Sequence, residues 1–172
     1  THGLGVAPKL IIIKNRDVTD PWAVLPPDRS DLYLVLNTTV GWAASSAFWN
    51  DTAPSSTVFT VNTDHSVNAD GEAYVAYCFA EVQGYSKFGT YFGNGNANGA
   101  FVYTGFKPAL VMFKVLSDPN YGWSMIDNTR SPSNLMNDDL YANSTAAEVT
   151  DANKCDFLSN GFKLRGSTYP AN

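Results

Sequence analysis

Gly5-Val6-Ala7-Pro8-Lys9-Leu10-Ile11-Ile12-Ile13-Lys14 is answered about one hundred residues later by Gly105-Phe106-Lys107-Pro108-Ala109-Leu110-Val111-Met112-Phe113-Lys114. The glycine, the proline, the apolar run and the closing lysine fall in the same register. Trp22 is answered by Trp123, Asn37-Thr38-Thr39 by Asn143-Ser144-Thr145, and Phe59 by Phe162 in Gly161-Phe162-Lys163-Leu164. A period this long reads as two copies of a whole small module, because solenoid units repeat every 20–50 residues or so. Each apolar run is short and bounded by Gly or Pro, the pattern of a strand.

Working outward, β-branched and aromatic runs alternate with turn clusters throughout. Leu10–Lys14, Trp22–Leu25, Leu32–Leu36, Thr57–Val61, Glu72–Val82, Phe88–Phe92, Ala100–Tyr103, Leu110–Leu116 and Trp123–Asp127 read as strands, and Phe157–Leu164 as a weaker one with Asn160-Gly161 as a turn. Pro26-Pro27-Asp28, Asn68-Ala69-Asp70-Gly71, Gly93-Asn94-Gly95-Asn96 and Ser117-Asp118-Pro119-Asn120 supply the turns. Asp70-Gly71 is a hairpin signal ahead of Tyr74–Ala80. That run is apolar on both faces and reads as a central strand. Helical signal is confined to Ser144–Asp151, capped by Ser144 or Asn143. The expected fold is all-β, a jelly-roll or concanavalin-like β-sandwich in two tandem repeats, residues 1–83 and 84–172.

Aligning the copies exposes unmatched pieces. The first continues through Asp70-Gly71 into Tyr74–Ala80, whereas the second reaches Thr168-Tyr169-Pro170 without such a strand. Phe88–Tyr103 precedes the second motif and has no counterpart before the first. The expectation is that both repeats are incomplete, the first at its start and the second in its final strand. Either the polypeptide is longer or a neighbour donates the strands.

Charged residues make up only 16% of the chain, below the roughly 25% usual for soluble domains. Asn, Thr, Ser and Gly take their place, which suits polar uncharged loops on an extracellular or virion surface. A net charge of −5 with scattered basic residues argues against a nucleic-acid partner. Cys78 and Cys155 occupy unmatched positions and read as free thiols. No signal peptide is read at the start, and no apolar stretch approaches the roughly 20 residues of a membrane helix, so membrane insertion is not expected.

Chemistry-bearing patterns are sparse. Of the two histidines, His2 lies at the start and His65 in Asp64-His65-Ser66, whose adjacent residues cannot converge as a triad. No metal-ligand spacing appears, so neither a metal nor any other cofactor is expected. Glycosidase chemistry needs two carboxyls about 5–10 Å apart; Glu72 and Glu81 lack the spacing of one strand face, and Asp138-Asp139 reads as a solvated turn. Asn50-Asp51-Thr52, Asn68-Ala69-Asp70-Gly71-Glu72 and Asn137-Asp138-Asp139 offer oxygens but not a calcium-loop spacing. Gly93–Gly99 lacks the Gly-Lys-Ser/Thr ending of a phosphate loop. Asn-x-Ser/Thr triplets begin at Asn37, Asn50 and Asn143. Aromatics beside polar loop residues, namely Trp42, Trp49, Tyr85, Tyr91 and Tyr121, have the composition of sugar platforms, where a ring stacks on a ring and Asn or Asp binds hydroxyls. Trp42, Trp49, Tyr85 and Tyr121 are the candidate glycan contacts, and no catalytic residue is assigned.

Gly84-Tyr85-Ser86-Lys87-Phe88-Gly89-Thr90-Tyr91-Phe92-Gly93-Asn94-Gly95-Asn96, Phe101–Ala109 and Asp156–Arg165 resemble repeats of bacteriophage tail-fibre-like and other virion structural proteins, of the marine and cyanobacterial phage type. Tyr74–Glu81 resembles the strand that closes each such repeat. The resemblance implies a concanavalin-like sandwich, a place on the virion surface after assembly in the host cytoplasm, and no catalytic residues. Its implied partners are other virion proteins or further copies of the chain, since phage fibres are usually trimers. The functional expectation is a non-enzymatic appendage module whose loop aromatics bind host-surface glycans. Its alternatives are a capsid-decoration or fibre-spacer module without a ligand, and a polysaccharide-degrading enzyme on the same scaffold.

Overall fold

The computed structural model describes residues 1–150, 152 and 154–167. The chain is all-β and its sheets are antiparallel throughout. It divides into two compact units, Thr1–Val82 with Ser86–Gly89 and Gln83–Tyr85 with Thr90–Asn172.

In the first unit, β1 (Leu10–Asn15), β2 (Ala23–Leu25), β3 (Leu32–Val35), β4 (Ala43–Ala44) and β5 (Tyr74–Phe79) form one sheet in the order β4-β3-β2-β1-β5. Alternation along β1 sends Ile11 and Ile13 into the core, where they meet Ala23, Leu25, Phe48, Trp49 and Val67. The layer over this face contains two single-turn helices, α1 (Ser46–Trp49) and α2 (His65–Asn68). Ser45 and Asp64 cap them by accepting from the backbone N–H of Ala47 and Ser66. Phe48 stacks on Tyr33 with ring centroids 3.9 Å apart. Phe59 and Val61 pack against the same core but belong to no strand.

The second unit is a sandwich of two sheets. One is β7 (Leu110–Lys114), β8 (Trp123–Asp127) and β9 (Leu140–Tyr141); the other is β6 (Phe101–Tyr103), β10 (Cys155–Leu158) and β11 (Gly161–Leu164), in the order β10-β11-β6. Val111, Phe113 and Ile126 from the first meet Cys155, Phe157, Phe162 and Leu164 from the second. The β10–β11 hairpin forms as expected but turns on Ser159-Asn160, one residue earlier, with Gly161 opening β11 opposite Leu158.

Several expectations are corrected. Tyr74–Phe79 is an edge strand, not a central one, and pairs with β1 rather than forming a hairpin across Asp70-Gly71. Its two-sided apolarity serves ring contacts: Tyr77 with Trp22 at 6.4 Å and Phe79 with Phe88 at 6.4 Å. Thr57–Val61 and Phe88–Phe92 lack a ladder partner among the described residues and are not strands. Ser144–Thr150 is not helical; Val149 bridges Asp139 instead, because two backbone hydrogen bonds to a neighbouring segment replace the local ones. Asp151, the last residue of that expected helix, and Thr168-Tyr169-Pro170 lie outside the described residues. The helical turns formed at Ser45 and Asp64 instead, where a side-chain cap precedes a buried aromatic or valine.

The matching sequence positions make matching bonds. Lys14 Nζ donates to the carbonyls of Asn15 and Val18, and Lys114 Nζ to those of Val115 and Tyr121. The Trp22 backbone N–H donates to Asn37 Oδ1 at 2.9 Å, and that of Trp123 to Asn143 Oδ1 at 2.7 Å. Leu36 N–H returns to the Trp22 carbonyl, and Ala142 N–H to that of Trp123, both at 3.0 Å.

Gly122 leaves the room that Asn143 needs: a Cβ there would lie 2.2 Å from Asn143 Oδ1. Gly122→Ala therefore expels the Asn143 side chain and strands the Trp123 N–H, at a cost of about 1–3 kcal/mol. Urea unfolding is expected to show Gly122→Ala and Asn143→Ala each destabilising to that extent, with the double variant scarcely worse than the single ones. Full additivity would show that the two residues act separately.

Candidate functional site

The loop Pro26–Asp31 leaves β2 in a turn that Asp28 permits by adopting φ 57°. The turn brings two charged pairs to the rim of a shallow cleft of about 160 Å³ in the first unit. Lys9 Nζ meets Asp28 Oδ1 at 2.5 Å. Arg29 grips Asp31 through Nε at 2.9 Å and Nη2 at 2.7 Å, the two-pronged geometry that best suits a guanidinium and a carboxylate. The same guanidinium lies 5.2 Å from the ring centroid of Trp42, within cation–π range. Pro8, Leu25, Pro26 and Pro54 give the cleft its apolar lining.

These charges are held in place. The hydrogen bond to Asp28 raises the Lys9 pKa, and the hydrogen bond from Arg29 lowers that of Asp31. Both shifts favour the charged forms of Lys9 and Asp31. The arrangement suits polar recognition: hydroxyls can bond to the charged groups while an apolar face lies against the prolines; Trp42 does not line the cleft and reaches it through Arg29. At about 160 Å³ the cleft falls below the roughly 300–1,000 Å³ of enclosed small-molecule pockets.

The four aromatic candidates separate. Trp42 is 39% exposed beside the cleft. Trp49 is 0% exposed, in the core beside Phe48, so it is no glycan platform; the Ser46–Trp49 turn points it inward. Tyr85 is 81% exposed in the tight turn closed by the Val82–Ser86 bridge. Tyr121 is half-buried, and its carbonyl accepts from Lys114 Nζ. Tyr91 is also core-packed, edge-on to Phe162 at 6.2 Å, and burial raises its phenol pKa.

Two polar clusters escaped the sequence reading. At the end of β1, Asn15 is 1% exposed, and its Nδ2 donates to Asp20 Oδ2, to Glu72 Oε2 and to Tyr74 OH. Its Oδ1 accepts from the Asp17 and Val18 amides, which fixes the amide orientation. Asp20 also meets His65 Nδ1 at 2.9 Å. In the second unit Asp139 is 0% exposed, not part of a solvated turn. Burial is tolerated because Ser124 Oγ bonds to it and Lys154 Nζ lies 3.2 Å away. The one sequence cue is an Asn closing Leu-Ile-Ile-Ile-Lys-Asn where the other copy has Val115.

Both cysteines are free; Cys155 is fully buried, and desolvation pushes its thiol up to about 12. Among the described residues no group of three or more His, Cys, Asp and Glu side chains is placed to hold a metal ion. No helix of the described residues is long and apolar enough to cross a membrane.

The chain belongs to the family described as a domain of unknown function, DUF7483, whose model matches residues 1–172. No curated protein and no solved structure matches it.

The His65–Asp20 pair sets a pH window. The hydrogen bond from His65 lowers the Asp20 pKa, and the same bond raises that of His65. The stabilisation from Asp20 is present above its unfolded value near 3.8 and is lost as pH falls through the lower folded value. The stabilisation from His65 is present below about 6.5 and is lost as pH rises through the higher folded value. The pair is thus intact between roughly pH 4 and 6.5. NMR titration should place His65 above 6.5 in the wild type and return it to an ordinary value in Asp20→Asn. An unchanged His65 pKa in that variant would dissolve the pair.

Proposed function

We propose that the chain is a non-enzymatic structural module of a bacteriophage particle, of tail-fibre or surface-fibre type, presenting the Pro26–Asp31 turn and the adjoining Trp42 to host-surface glycans. The observation that carries this reading is what the two halves have in common. Their shared bonds, Lys14 with Lys114 and Asn37–Trp22 with Asn143–Trp123, tie strands and loops together. The groups with chemistry are not shared: the position that corresponds to Asn15 in the other half is Val115. A duplicated scaffold with an unduplicated surface is the economy of an appendage, where architecture repeats and loops carry recognition. The resemblance to phage virion repeats supports the particle, and partners would be other virion proteins or further copies of the chain.

The cleft supports the glycan part of the reading. An exposed indole next to two ion pairs offers a stacking face together with hydrogen-bonding groups. The degradative alternative would draw on Asp20 and Glu72, which converge on Asn15. There the Asn15 amide already bonds to both carboxylates, and its bond with His65 keeps Asp20 ionised, so Asp20 has no proton to give a leaving group.

A glycan array probed with the 172-residue chain tests the reading. Bacterial-surface oligosaccharides are expected to bind, and Trp42→Ala to weaken binding about tenfold, the worth of one ring stack. Absence of any bound glycan would leave a ligand-free spacer or decoration module. Release of new reducing ends would make the chain an enzyme.

A further inference from the structure

We propose that the outer edge of β7 is a strand acceptor, completed by an extended apolar segment of the β5 type from outside residues 1–172. In the order β7-β8-β9, β7 has a neighbour on one side only among the described residues. Its corresponding strand β1 has two, β2 and β5. The Asn128 N–H donates to the Ala109 carbonyl in the β7–β8 ladder. Antiparallel hydrogen-bonded pairs alternate, so Ala109, Val111 and Phe113 bond towards β8 while Leu110, Met112 and Lys114 direct their N–H and C=O outward. β1 has the same phase: the Arg16 N–H donates to the Ala73 carbonyl, which places Leu10, Ile12 and Lys14 on the β5 side. The outward row of β7 is therefore the row that β5 satisfies in β1.

The edge is also apolar. Leu110 is 57% exposed and Met112 38%, while Val111 and Phe113 are buried. Natural edges of this kind are blunted by charge, proline or a bulge, and β7 carries only Lys114 at its far end. The first unit shows what covers such an edge. β5 sets Phe79 opposite Leu10, Tyr77 opposite Ile12 and Val75 opposite Lys14. Transferring that register puts an aromatic residue opposite Leu110, another opposite Met112 and a β-branched residue opposite Lys114, running antiparallel to β7. Main-chain bonds would supply affinity and the two aromatics would supply selectivity, as in other cases of strand addition.

The test is to titrate the intact 172-residue chain with a synthetic peptide of the Ala73–Glu81 sequence carrying serine in place of Cys78, and to follow amide exchange by NMR. Without peptide the Leu110, Met112 and Lys114 amides are expected to exchange freely while Val111 and Phe113 are protected; with peptide all five become protected. Two modified peptides fix the register without disturbing the protein. N-methylation at the Tyr77 position, whose N–H meets the Met112 carbonyl, is expected to weaken binding about tenfold or more, and N-methylation at the adjacent Ala76 position to leave it unchanged. The proposal is overturned if no peptide binds, if protection appears along β1 instead, or if equal losses follow from both methylations. Concentration-dependent protection of β7 in the absence of peptide would overturn it too, since the edge would then pair with a second copy.

Discussion

One hydrogen bond, made twice, fixes how each half of the chain is threaded. The backbone N–H of Trp22 is bound by Asn37 Oδ1 and that of Trp123 by Asn143 Oδ1. Each tryptophan stands where the chain re-enters the sheet after the loop that follows Lys14 or Lys114. Its carbonyl is bound in turn by Leu36 or Ala142, so the start of one strand is joined to the end of the next at both polar groups. The lysine ammonium draws in the intervening loop through two carbonyls. With entry and exit pinned, the short strands between them have little freedom to slip, and a slip of one residue would turn every core side chain to the other face.

On that shared frame the halves are covered differently. The second unit closes with a hairpin sheet, β6, β10 and β11, whose phenylalanines fill the space above β7 and β8. The first is covered by capped single turns and the unpaired Phe59–Val61 stretch. The polar groups follow the covering. Where β1 ends in Asn15, a buried amide gathers Asp20, Glu72 and Tyr74; where β7 ends, Val115 gathers none of them. Charge buried in the second unit sits instead at Asp139 and Lys154, fully paired. These clusters brace loops, while at the Pro26–Asp31 turn Arg29 lies over the ring of Trp42.

The strands legible in the sequence are those whose apolar run is bounded by turn residues, whatever their place in the sheet. Leu110–Lys114 at an edge, Trp123–Asp127 at a centre and the β10–β11 hairpin belong here, because periodicity and turn residues are local properties. What escaped depends on contacts far along the chain. Thr57–Val61 has a strand's composition, but among the described residues no ladder forms along it. Tyr74–Phe79 looks central from its apolarity yet lies at an edge, since ring contacts with Trp22 and Phe88 account for its second face. The polar clusters and ring placements divide in the same way. The exposure of Trp42 agrees with its polar loop neighbours, whereas the inward turn of Trp49 follows the Ser45 cap, and the Asn15 cluster joins residues 57 apart. Aromatic composition alone does not distinguish a platform from a core.

Native-state exchange of two backbone amides tests the central claim most directly. If the Asn–Trp bond organises each half separately, the Trp22 and Trp123 amides are both strongly protected. Asn37→Ala then releases Trp22 and leaves Trp123 as it was, and Asn143→Ala does the reverse. Protection that survives both substitutions, or is lost at both tryptophans from either one, would contradict the account.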